Sequence, residues 1–125
     1  MDAMPKILIA EDEPDILELV TLILELGGYQ VVQARDGQEA VDKTRAEHPD
    51  LVLMDVRMPR LSGYEACEIL KADPATRDIP VVFLSAKGQA GEVEAGYAAG
   101  AVAYLVKPFE ADDLLAQVRA VLTHA

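Results

Sequence analysis

The sequence has few of the features typical of disulfide-stabilised, membrane-spanning or nucleic-acid-binding proteins. Its 125 residues include one cysteine, Cys67, so an internal disulfide is excluded. Apolar stretches are only a few residues long, and the N-terminus lacks a basic segment followed by an apolar one, which argues against a membrane span or a signal peptide. Basic residues number 11 against 22 acidic ones, and the net charge of −11 disfavours direct contact with nucleic acid phosphates. We therefore expect a cytoplasmic protein that binds neither membranes nor nucleic acid directly.

The sequence does contain enough apolar residues to form a core. Hydrophobic residues make up 51% of the chain, and neither a fixed-period repeat nor a low-complexity linker divides it. We therefore predict a single domain over residues 1–125.

Strand-like and helix-like segments alternate along the chain. Short apolar runs rich in β-branched residues predict strands at 6–10, 30–34, 51–54, 81–84 and 102–106. The first helix is predicted from Pro14 to Gly27-Gly28. The second and third begin after Asp36 and Ser62, each of which is followed three residues later by a glutamate, the pattern of a capping box. The last two helices are predicted from about 89 to 99 and from about 111 onward. Strict β–α alternation predicts a parallel sheet between two layers of helices.

Polar side chains lie where four of these strands end. Glu11 and Asp12 close the first strand, Asp55 the third, Ser85 the fourth and Lys107 the fifth. In open parallel sheets the functional crevice lies at the carboxyl ends of the strands, so we expect these residues to meet there.

Each of these residues alone has an ordinary structural explanation. Asp12 or Glu13 could cap the first helix. Ser85 could be a turn residue, and Lys107 could be a solvated charge at a strand end. Asp55 is different because it interrupts a strongly apolar run, where an ionised side chain is costly without compensation.

The acidic residues suggest a cation. Carboxylates about 4 Å apart repel by roughly 4 kcal/mol per pair at an effective dielectric constant of about 20, so three of them require a proton or a cation between them. Oxygen ligands without a nearby histidine or cysteine favour Mg²⁺ or Mn²⁺.

Four motifs resemble those of the receiver domains of bacterial response regulators. They are residues 9–14 (IAEDEP), residues 53–59 (LMDVRMP) with Gly63, residues 84–86 (LSA) and residues 104–109 (YLVKPF). The resemblance spans essentially the whole chain. It implies a flavodoxin-like (βα)5 three-layer sandwich whose five-stranded parallel sheet has the order 2-1-3-4-5.

The resemblance also implies a phosphoacceptor site. Asp55 would take a phosphoryl group from a phosphohistidine on a sensor histidine kinase or phosphotransfer protein, in a two-component system or phosphorelay. Asp12 and Asp55 would bind Mg²⁺, for which Mn²⁺ could substitute, together with the backbone carbonyl of Arg57. Glu11 would act mainly through water.

The remaining residues implied by the resemblance would bind the phosphate and change conformation when it is present. Lys107 would pair with one phosphate oxygen and Ser85 would hydrogen-bond another. Ser85 and Tyr104 would form the switch, which alters a surface formed by the fourth helix, fifth strand and fifth helix and bound by a downstream protein partner. An ordinary half-buried strand tyrosine is the alternative for Tyr104.

The chain departs from the common family pattern in places. The acidic pair is Glu11-Asp12 rather than two aspartates, and the hydroxyl residue is serine rather than threonine. Arg57 and Lys87 occupy positions where receivers vary the access of water to the phosphate. Val102 and Ala103 replace the acidic pair of receivers that dimerise through the fourth and fifth helices, which predicts a monomer or weak dimer with a more apolar docking surface.

Other functions compete with this one. The chain could be a stand-alone receiver or one excised from a larger regulator or hybrid kinase. A phosphatase of the haloacid dehalogenase type would usually carry an acid two residues after the nucleophile, where this chain has Arg57. A flavodoxin-like binding protein would not need Lys107 beside three acids. We therefore expect a signalling protein that catalyses its own phosphorylation and dephosphorylation but is not a turnover enzyme.

Overall fold

Strands and helices alternate along the chain as predicted. A computed structural model describes residues 4–85 and 90–124. The strands are β1 Lys6–Ala10, β2 Gln30–Ala34, β3 Leu51–Asp55, β4 Val81–Ser85 and β5 Ala103–Val106, and the helices are α1 Pro14–Leu26, α2 Gly37–Glu47, α3 Gly63–Ala72, α4 Ala90–Ala98 and α5 Ala111–His124. Within the described residues, no helix is both long enough and apolar enough to cross a membrane.

The five strands form one parallel sheet in the order β2-β1-β3-β4-β5, which confirms the flavodoxin-like prediction. Successive side chains of a strand point to opposite faces. Leu8 and Met54 accordingly pack in one core cluster, and Ile9 and Leu53 in the other. Every residue of β3 and β4 is buried, as expected for central parallel strands covered on both faces.

The acidic residues that follow β1 lie just before the start of α1. The N-cap position of α1 falls on Glu13, whose side chain makes no capping hydrogen bond to any described residue, and Pro14 opens the helix. Capping therefore does not account for the acidic pair Glu11-Asp12.

The two predicted capping boxes have different outcomes. At α3 the box is complete, because the Ser62 hydroxyl accepts from the Glu65 amide at 3.1 Å and the Glu65 carboxylate accepts from the Ser62 amide at 3.0 Å. At α2 only half of it forms: Asp36 accepts from the Glu39 amide at 2.7 Å. The Glu39 carboxylate pairs instead with Lys43, one helical turn on, at 3.0 Å.

Of the two residues predicted to contribute to an apolar surface, only Val102 is exposed. Val102 lies just before β5 and is 52% exposed, whereas Ala103 belongs to the core cluster that contains Leu114 and Val118 of α5. Neighbouring positions at the strand face opposite directions, so only one of them can contribute to a docking surface.

Candidate functional site

The carboxyl ends of the strands bring the predicted acidic residues together. Carboxylate oxygens of Glu11, Asp12 and Asp55 lie within 4.8 Å of one another. The Lys107 ammonium reaches this acidic cluster from β5, with Nζ 2.7 Å from Glu11 Oε1 and 3.7 Å from Asp55 Oδ1. Ser85 ends the adjacent strand, where its carbonyl accepts from the Lys107 amide at 2.6 Å.

Glu11 and Lys107 form a buried ion pair. Glu11 is 0% exposed, and its second oxygen, Oε2, accepts from the Glu13 amide at 3.3 Å. Burial by itself would lower the pKa of Lys107, but the hydrogen bond to Glu11 and the charges of Asp55 and Glu11 outweigh it and raise that pKa. Lys107 is therefore not a solvated strand-end charge but the positive centre of the acidic cluster.

The carboxyl group of Asp55 is held in an environment that disfavours its charge. The residue is 8% exposed, and Oδ1 accepts from the Val56 amide at 2.9 Å. Burial, reinforced by the negative charge of Glu11, raises the pKa of Asp55 to about 7 even though Lys107 acts in the opposite direction. Desolvation and its contact with Glu11 also raise the pKa of Asp12. The site thus has more negative charge than Lys107 alone can offset.

The start of α3 lies tightly against Asp55. The Gly63 amide donates to the Val56 carbonyl at 2.8 Å, and a Cβ at Gly63 would collide with the Asp55 carbonyl oxygen. Only glycine permits this approach. Arg57 is exposed at the beginning of the intervening loop, two residues after Asp55.

Tyr104 lies apart from the acidic cluster, on β5. Its ring packs 6.1 Å from that of Phe83, centroid to centroid, and a Cβ at Gly96 would lie 2.9 Å from Tyr104 Cε2. The Tyr104 hydroxyl is buried and has no hydrogen-bond partner among the described residues. The sequence predicted a role for Tyr104 but not for Phe83 or Gly96. For Gly96, the available signal was a glycine in the interior of a predicted helix.

Lys87, predicted to influence the access of water to the phosphate, lies outside the described residues.

The sheet order, with acids, a serine and a lysine at its carboxyl edge, is that of a doubly wound α/β domain with a polar site at its strand ends. The family model of the response regulator receiver domain matches residues 7–119. The chain therefore belongs to the response regulator receiver family and is a receiver domain of a two-component system.

Individual relatives agree with this assignment. The chain is 43% identical over 119 residues to the DNA-binding dual master transcriptional regulator RpaA of Synechocystis. The aligned residues cover 95% of this chain and 49% of RpaA. The chain thus spans about half the length of the curated relatives it matches.

Solved structures match over nearly their full length. The chemotaxis response regulator CheY4 of Vibrio cholerae has a TM-score of 0.90 at 31% identity, covering 95% of this chain and 99% of that one. The receiver domain of the sensor histidine kinase PA1611 of Pseudomonas aeruginosa, with a magnesium ion coordinated in its active-site cleft, has a TM-score of 0.85 at 33% identity and covers 98% and 97%.

The raised pKa of Asp55 predicts a pH-dependent cost of folding. Asp55 loses its proton near pH 4 in the unfolded chain but only at about pH 7 in the native state. Because the native state binds the extra proton between these values, the free energy of unfolding of metal-free wild-type protein should fall as the pH rises from about 4 through about 7. Asp55→Asn should remove most of this dependence and raise the free energy of unfolding at pH 8 by roughly 1–3 kcal/mol. Urea unfolding at pH 4.5 and pH 8 in EDTA measures both. Equal pH slopes for the two proteins would contradict the assignment.

Proposed function

We propose that Asp55 accepts a phosphoryl group from a phosphohistidine donor, a sensor histidine kinase or phosphotransfer protein. The observation that carries this proposal is the buried carboxylate of Asp55 beside Lys107 Nζ, in a cluster with two further acids at the carboxyl edge of the sheet. A carboxylate is a competent nucleophile for phosphoryl transfer once its negative charge and that of the donor are offset.

The donor set of the site suits Mg²⁺. Three carboxylates supply oxygen, and no thiolate or imidazole belongs to the acidic cluster among the described residues. Asp12, Asp55 and the Arg57 carbonyl would hold the ion, with Mn²⁺ as a substitute, and Glu11 would act through water because Lys107 already occupies one of its oxygens. The magnesium ion coordinated in the active-site cleft of the similar PA1611 receiver supports the binding of Mg²⁺ here. The bound ion would supply positive charge to the transferring group.

The chain's own residues would do the remaining work. Lys107 Nζ, 3.7 Å from Asp55 Oδ1, is close enough to contact a phosphate oxygen on Asp55. Ser85, buried at the end of β4, would donate its hydroxyl to another oxygen. Tyr104 would respond by a population shift, whose size is limited to the difference in contacts between the two states. The aspartyl phosphate is then a signal rather than an intermediate of sustained turnover.

The downstream partner would bind the surface formed by α4, β5 and α5. Tyr97, Val102 and Val106 are large exposed apolar residues on this surface. The chain would act alone as one domain over 1–125 or as the receiver of a longer regulator like RpaA, of whose length the match covers 49%. In that arrangement DNA would be bound outside the receiver, because a net charge of −11 repels phosphates.

Phosphorylation by a small donor tests the central proposal. Wild-type protein incubated with acetyl phosphate and Mg²⁺ should gain one phosphoryl group by intact mass, and Asp55→Asn should gain none because the amide is not a nucleophile. Asp50→Asn, at an exposed acid before β3, is the matched control and should label like wild type. Labelling of Asp55→Asn to the wild-type level would refute the proposal.

Asp12 should be needed for binding Mg²⁺, and Lys107 for phosphorylation. Asp12→Ala should weaken Mg²⁺ binding by roughly 10-fold or more, because it removes a ligand. Lys107→Ala should bind Mg²⁺ at least as tightly as wild type, since it leaves the buried Glu11 without its cation, but should label slowly with acetyl phosphate. Calorimetric titration with Mg²⁺ measures the affinities. Glu13→Ala, a neighbouring acid outside the cluster, is the control. Equal loss of affinity in Asp12→Ala and Lys107→Ala would contradict this division of roles.

The space beside Gly96 should control Tyr104. A methyl group in Gly96→Ala would occupy the space of the Tyr104 ring, so the ring should turn outward in a larger fraction of molecules. Nuclear Overhauser contacts between the Tyr104 and Phe83 rings measure this fraction and should weaken. Ala98→Ser, exposed on the same helix, should leave them unchanged. Full contacts in Gly96→Ala would show that the glycine does not set the ring position.

A further inference from the structure

The loop that follows Asp55 is held from outside the acidic cluster. It connects β3 to α3 over residues 56–62 and contains Arg57, whose carbonyl is a proposed metal ligand. We propose that the N-terminus of α2 positions this loop for metal binding, with Gly37 and Asp36 as positioning residues. The inference rests on the proposed function, since it concerns the same metal site.

Gly37 brings two backbone segments into direct contact. It is the buried first residue of α2, and a Cβ there would collide with the Leu61 carbonyl oxygen and lie 2.6 Å from Leu61 Cβ and 2.7 Å from its carbonyl carbon. Two of these three obstacles are backbone atoms, so rotation of a side chain cannot relieve the overlap. The helix start and the loop therefore fit only if residue 37 is glycine.

The tip of the loop has a strained conformation. Arg60 has φ of 73°, which non-glycine residues rarely adopt, and the Leu61 amide donates to the Pro59 carbonyl at 2.9 Å. A hydrogen bond between residues two apart with this φ defines a γ-turn of the rare, strained type. Such strain persists only where neighbouring structure holds it in place.

Asp36 supplies the second contact with the tip. One carboxylate oxygen accepts from the Glu39 amide at 2.7 Å and caps α2, and the other lies 3.6 Å from Arg60 Nε. The same side chain thus joins the start of the helix to the strained residue. Gly37 and Asp36 hold Leu61 and Arg60 from one side.

The opposite end of the loop is anchored at Asp55 itself. The Gly63 amide donates to the Val56 carbonyl at 2.8 Å, and the Val56 amide donates to Asp55 Oδ1 at 2.9 Å. A short segment fixed at both ends transmits a displacement of its tip to the residues between, which include Arg57. A shift at Leu61 should therefore misplace a metal ligand even though Gly37 lies outside the acidic cluster.

The test is Mg²⁺ affinity of the full chain by calorimetric titration, together with the thermal unfolding midpoint. Gly37→Ala should bind Mg²⁺ roughly 10-fold more weakly, as is typical when a residue supporting a ligand is changed. Gly27→Ala is the matched control, because its Cβ would meet the end of the Leu115 side chain, 2.7 Å away, at the far end of α1. It should keep the wild-type affinity. A lower midpoint in Gly37→Ala with unchanged affinity would show a purely structural role and overturn the inference.

Two further results keep the test decisive. If wild-type protein does not bind Mg²⁺, both the proposed function and the positioning role are wrong. If wild-type protein binds Mg²⁺ and the variants bind it with the same affinity, only the positioning role is wrong. Should Gly37→Ala not fold, Asp36→Asn decides, because asparagine caps helices as well as aspartate but lacks the charge that attracts Arg60. We expect roughly two- to fivefold weaker Mg²⁺ binding, and wild-type affinity in Asp36→Asn would overturn the inference.

Discussion

The site depends on one buried ion pair that crosses the carboxyl edge of the sheet. Glu11 follows β1 and Lys107 follows β5, and two strands lie between them, yet their charged atoms are 2.7 Å apart. A buried charge that loses its partner costs roughly 3–5 kcal/mol, so the fully buried Glu11 carboxylate depends on the Lys107 ammonium. The pair also sets the position of the Lys107 ammonium 3.7 Å from Asp55.

Charge balance then explains why this edge of the sheet suits phosphoryl chemistry. One ammonium faces three carboxylates, and the imbalance appears as raised pKa values at Asp55 and Asp12. A divalent cation would relieve the imbalance in the resting protein. A phosphoryl group on Asp55 would add negative charge in turn, so the cation and Lys107 would both be needed while it is bound. The surplus of negative charge that raises these pKa values would then also favour the binding of a cation.

Most of the fold and the members of the site could be predicted from the sequence, but their pairing could not. Strand and helix alternation is a local pattern, and Asp55 stands out because it interrupts an apolar run. The contact of Glu11 with Lys107 joins residues 96 positions apart and is not encoded in either motif. The burial of Ala103 depends on which way β5 faces, a choice that a four-residue strand leaves open. The approach of Gly37 to Leu61 likewise exists only once α2 and the loop after β3 are placed side by side.

Phe83 lies between the segment that follows Asp55 and the ring of Tyr104. A Cβ at Gly63, which abuts Asp55, would lie 3.0 Å from Phe83 Cε1, and one at Gly96 would lie 3.0 Å from Phe83 Cδ2, beside the Tyr104 ring. Close packing on both sides gives the ring little freedom to absorb a displacement, so movement of the segment after Asp55 must be passed on or resisted.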